Sequence, residues 1–113
     1  MNTNINLLMT QSQAMQSIRS VNRMWERTAK DSTEHKQLGS IMDNLWSAVH
    51  EAQWQHVDAT GSTNSADLSL SLDMTESEIT KIQIALMVNG SDSGTKQLHG
   101  YLSTAIYSHR AKS

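Results

Sequence analysis

The densest cluster of chemistry-bearing side chains lies between Asp43 and His56, in the string DNLWSAVHEAQWQH. His50 and Glu51, with His56 downstream, raise the question of a zinc-hydrolase helix. That chemistry needs two histidines four residues apart on one helical face, with the glutamate as general base. Here the histidines are six apart, and a helix turning about 100° per residue sends them to different faces. His35, His99 and His109 add no ligand spacing, so neither a metal site nor a cofactor is expected. Asp43, Ser47 and His50 do share a face, as acid, nucleophile and base would. A single straight helix offers no oxyanion hole and no pocket, so the chain is expected not to be an enzyme.

Binding is the other use of this segment. Relative to Leu38, the helix buries a stripe formed by Leu38, Ile41, Met42, Leu45, Val49 and Ala52. Asp43, His50, Trp54 and Val57 fall about 100° to 160° away, and Trp46 flanks the edge near about 80°. Tryptophan is enriched among the residues that dominate interfaces. Trp46, His50, Trp54 and Val57 therefore form the expected contact surface for a partner protein or a second copy. Ile84 and Val88 extend it, because they sit opposite the core face of a later helix. The competing arrangement covers Trp54 internally, with the Asp58–Met74 segment or the last helix.

A second candidate surface is basic. Arg19, Arg23, Arg27 and Lys30 recur at about one-turn spacing on the outer face of the first helix. Such a row can hold phosphates or an acidic protein surface. Base-reading side chains are not evident beside it, and the whole chain carries a formal charge of −2. Nucleic acid is accordingly a lesser expected partner, and a solvated face is the simpler reading.

The elements that carry these surfaces are read from periodicity. With 113 residues the chain is one domain in length. No proline interrupts a helix and no cysteine provides a disulfide or thiolate, so packing alone must hold the fold. The pattern predicts a mainly α fold: a long antiparallel helical hairpin plus two shorter helices, with a short strand at about 67–73. Helix one is expected over about 4–29, with Leu7, Leu8, Ala14, Met15, Ile18, Val21 and Trp25 on its core stripe. Helix two follows over about 32–57, started by Asp31 with Glu34 as a capping box. Residues 58–65 read as a loop.

Over 66–74, Leu68, Leu70 and Leu72 alternate with Ser69, Ser71 and Asp73, which is the strand period. Leu68, Leu72, Thr75, Ile79, Ile82 and Leu86 also keep a heptad, so a longer helix competes with the strand. The extended reading is favoured, with Thr75 and Glu78 as a capping box that starts a helix over about 76–88. A strand there has no obvious pairing partner in the sequence. It is left to pair with a copy of itself, with another protein's strand, or with residues near Val57–Thr60. Gly90 is expected to end that helix and Ser91–Gly94 to turn the chain. A last helix is expected over about 95–109, followed by a fraying tail. Gly100 inside it reads as a close approach of another helix or a weak point. No internal repeat is evident.

The start, MNTNINLLMTQSQ, has no basic and apolar leader of the Sec type, and no apolar run reaches a membrane-spanning length. Its uncharged polar composition resembles the start of substrates of bacterial type III secretion systems. That resemblance implies an exported subunit or chaperone of such an apparatus. A phage or plasmid product that blocks a host protein, and a small nucleic-acid-associated regulator, are the other settings considered. Cytoplasmic residence, or export without a Sec signal peptide, is the expected localisation. Ahead of all of these stands a protein–protein interaction module.

Overall fold

The computed structural model describes residues 4–61, 67–89 and 92–112. It is mainly α, with four helices and one small antiparallel sheet, in the order β1 (Asn4–Thr10), α1 (Gln11–Arg27), α2 (Thr33–Thr60), β2 (Ser69–Thr75), α3 (Glu76–Asn89) and α4 (Ser93–Lys112). The long hairpin and the two further helices are present as expected. The first seven described residues are not helical.

They form β1 because they alternate. Ile5, Leu7 and Met9 are buried, while Asn4, Asn6 and Leu8 are exposed. Strand β2 repeats the pattern with Leu70, Leu72 and Met74 inside and Ser69, Ser71 and Asp73 outside. The strands pair antiparallel, with Leu7 opposite Leu72 at the centre of the register. The strand that lacked a partner in the sequence thus finds it in residues assigned to helix one. Leu8, expected in the core, instead projects from the outer face at 65% exposure.

Thr10 ends β1 and starts α1. Its side chain accepts from the Gln13 backbone N–H, and Gln13 Oε1 accepts from the Thr10 N–H. Helix α1 then buries Ala14, Ser17, Ile18, Ser20 and Val21. The cap of α2 is Ser32, one residue past the expected Asp31, and its hydroxyl accepts from the His35 N–H. Asp58–Thr60 continue α2 rather than opening the loop. Gly61 closes it at φ 69°, with its N–H on the Val57 carbonyl. That left-handed backbone is the conformation glycine adopts without a side-chain penalty.

Thr75 and Glu78 form the expected capping box of α3, with bonds of 2.8 and 3.2 Å. The expected Gly90 cap lies outside the described residues. Asp92 starts α4 by accepting from the Thr95 N–H, so Ser93 and Gly94 are helical rather than a turn. Arg110–Lys112 remain helical instead of fraying, with Arg110 paired to Glu76. The space beside Gly100 is open, so it marks no close helix approach among the described residues.

Two βαα units make up the fold, and their sequences correspond at the junction of strand and first helix. Met9-Thr10-Gln11-Ser12-Gln13 matches Met74-Thr75-Glu76-Ser77-Glu78, and both stretches end a strand and cap a helix the same way. Buried Ile41, Leu45 and Val49 on α2 match Leu98, Leu102 and Ile106 on α4 in spacing. Equivalent residues Leu7 and Leu72 face each other, so a local two-fold axis passes through that pair. Around it α1 packs against α3, α2 lies against β2, and α4 lies against β1. The chain thus repeats one order of elements, although no internal repeat was expected from its sequence. In the core, Leu7, Val21, Leu38, Ile41, Leu45, Ile79, Ile82, Leu86, Leu98 and Leu102 are sealed from solvent.

Candidate protein-interaction surface

Helix α2 is 28 residues long and α1 is 17, so the C-terminal part of α2 extends past the helix that packs on it. Core positions recur along its inner side and leave the opposite side to solvent. Trp46 is 39% exposed and Trp54 68%. His50 is exposed and lies against Trp46, with ring centroids 5.5 Å apart and planes tilted 36°. Val57 is half-buried. The structure therefore brings Trp46 and His50 together and leaves Trp54 uncovered by the described residues on the same outer side.

The third tryptophan shows what a structurally used indole looks like here. Trp25 stacks on His35 at 4.4 Å and 24°. The His35 ring is held at Nδ1 by Thr28 Oγ1 and the Trp25 carbonyl, at 2.9 and 3.1 Å. Gly39 lies beside the indole, where an added Cβ would sit 3.5 Å from Nε1. Trp25 thus fastens the α1–α2 corner, whereas Trp54 is not so held.

Ile84 and Val88 are exposed on α3, as the sequence implied, and Met87 at 68% exposure joins them. They make a patch of their own. Helix α1 packs on both α2 and α3, and among the described residues no hydrogen bond or ring contact joins this patch to Trp46, His50 or Trp54. Sequence reasoning missed Met87, Leu8 and Tyr107, the last 72% exposed on α4. Met87 was open to inference, lying between Ile84 and Val88 on the outer side of α3.

Arg19, Arg23, Arg27 and Lys30 are all exposed. Arg23 Nη1 reaches the Asn89 carbonyl at 3.5 Å, tying α1 to the end of α3. Arg27 lies in the last turn of α1, where a cation complements the helix dipole. Asp43, Ser47 and His50 are exposed and no hydrogen bond joins them. Among the described residues no group of three His, Asp or Glu side chains converges to hold a metal. Within the same limits, no helix is long and apolar enough to cross a membrane.

No family model matches the chain, and neither a curated protein nor a solved structure matches it.

Proposed function

We propose that this chain is a non-enzymatic protein-interaction module that binds another protein or a second copy of itself through the outer side of α2. One observation carries the reading: Trp54 stands 68% exposed on a helix whose opposite side forms the core. A buried tryptophan removes about 150–250 Å² from water. At about 25 cal/mol per Å², covering the exposed part of that side chain is worth a few kcal/mol. Trp46 and His50 lie on the same side and supply further aromatic surface, and Val57 continues it.

Sedimentation of the pure chain and of its Trp54→Ala variant tests this. At an exposed site the substitution is expected to change stability by less than about 0.5 kcal/mol. A concentration-dependent dimer that Trp54→Ala abolishes supports self-association. A monomer that pulls a protein from its native host, and loses it on the same substitution, supports a foreign partner. A monomer with no Trp54-dependent partner overturns the reading.

A further inference from the structure

The local two-fold predicts equivalent surroundings for the two strand edges, and the structure gives them different ones. Gln11 donates its backbone N–H to the Leu68 carbonyl, which fixes the phase of the ladder. With the register of Leu7 opposite Leu72, the backbone groups of Leu8 point away from β2 and those of Ser69, Ser71 and Asp73 point away from β1. On the β1 edge, Leu8 N–H donates to Tyr101 Oη at 2.9 Å, so the α4 side chain latches that edge. On the β2 edge the equivalent strand residue is Asp73, and the α2 residue in the place of Tyr101 is Asn44. Asn44 is too short for the same latch and turns its amide to Glu78 Oε2 at 3.3 Å instead. The outward N–H groups of Ser71 and Asp73 meet no partner among the described residues.

An open groove of about 880 Å³ occupies this place, between β2 and α2. Its walls combine the Ser69–Asp73 edge with Ala48, Glu51 and Ala52 of α2, and exposed Leu8 extends it over the outer face of the sheet. Strand edges with free backbone donors accept further strands. The charged residues that line the groove, Glu51 and Asp73, are both acidic. A second copy offering β2 would bring Asp73 with it and no cation, whereas a basic strand would meet complementary charge.

We infer that the β2 edge is a docking site for an extended, lysine- or arginine-bearing segment of another protein, which adds to the sheet as a third strand. Its backbone pairs with Ser71 and Asp73, its cations lie on the outer face with Asp73 and in the acidic field that Glu51 adds, and the apolar side chains between them turn to the other face, toward Ala48 and Ala52. The site is separate from the tryptophan side of α2 and does not depend on that reading.

An acetylated octapeptide alternating lysine and valine, titrated into the full chain, tests this by amide exchange and chemical shift. The expected result is slowed exchange at the Ser71 and Asp73 amides. Replacing the peptide's lysines by glutamate, or methylating the backbone nitrogens that face β2, weakens binding by about tenfold or more. Glu51→Gln weakens it less, and Asn44→Tyr, which copies the Tyr101 latch, abolishes it while leaving the fold intact. Equal affinity for the lysine and glutamate peptides overturns the proposal, as does unchanged exchange at both amides in the native chain and in Glu51→Gln. Slow exchange at the same amides without peptide, growing with protein concentration, assigns the edge to a second copy and overturns it too.

Discussion

The two βαα units share a plan but divide its uses. In the first, α1 turns Arg19, Asn22 and Arg23 outward; at the corresponding places α3 carries Ile84, Met87 and Val88. In the first, the partner helix α2 runs 28 residues and carries two exposed indoles; in the second, α4 runs 20 residues and latches a strand edge with Tyr101. The strand positions Leu7 and Leu72, and Met9 and Met74, are identical, whereas the outward helix positions differ in charge and size. The buried faces of the two units differ as well, with Ser17 where the second unit has Ile82, so the contrast that bears on binding is the outward one, arginine on α1 against apolar side chains on α3.

Truncation at the axis should have the largest effect and tests whether the two units carry the core equally. Leu7 is fully buried and Leu72 is 9% exposed beside the open groove. Leu7→Ala is expected to cost about 3 kcal/mol, in the range for buried leucines, and Leu72→Ala measurably less. Urea unfolding of both variants reads the difference. Equal losses would mean that the groove leaves the second unit as tightly packed as the first.

The duplicated capping boxes come next. Thr10→Ala and Thr75→Ala should each cost about 1 kcal/mol. Because the reciprocal bonds are present at both sites, the two losses should agree, and thermal melts of the pair check it. A large inequality would show that the matching sequences no longer do matching work.

These boxes also explain how far the sequence could be read. Thr75 with Glu78 stood out because the motif preceded an apolar helix and followed an alternating strand. Thr10 with Gln13 is the same device, yet Leu7, Leu8, Ala14 and Ile18 also satisfy a helical stripe, and that longer pattern hid the strand Asn4–Thr10. Strand alternation in β1 is weakened by one residue, Leu8, which is apolar on the polar side. Its exposure depends on tertiary pairing with β2, which no local pattern reports. The candidate surface was more legible, since Trp46, Trp54, Ile84 and Val88 depend on helix phase alone. The groove was not, because it exists between segments far apart in the chain and depends on Asn44 standing where the other unit has Tyr101.

Tyr101→Phe sharpens the contrast between the edges. It removes the hydroxyl that takes the Leu8 N–H, and a single hydrogen bond of this kind is worth about 1 kcal/mol or less net. Amide exchange should rise at Leu8 and stay as it is at Ser71 and Asp73. Parity of the Leu8 amide with those two before the substitution would mean that the latch is not formed in solution.

Acid should produce the smallest effect, and it separates the units by charge. Asp67 accepts the Ser12 N–H at 2.7 Å across the unit boundary, and that backbone bond holds its carboxyl below the usual carboxylate range. Asp92 is lowered by the Thr95 N–H, and Glu76 by its bond to Arg110. A carboxyl whose folded pKa lies below its unfolded one stabilises the fold above the unfolded value, and that contribution is lost as pH falls through the folded value. Stability should thus be constant near neutrality and decline below about pH 4. All three groups are exposed or nearly so, and solvent screening keeps the decline small. Asp67→Asn with Asp92→Asn keeps both caps, because the amide oxygen accepts the same bonds without titrating. In that variant the urea midpoint should fall less between pH 7 and pH 3 than in the parent chain, with Glu76 still contributing to the fall. An identical fall in both would locate the acid response elsewhere and break the link between these caps and the second unit's charge.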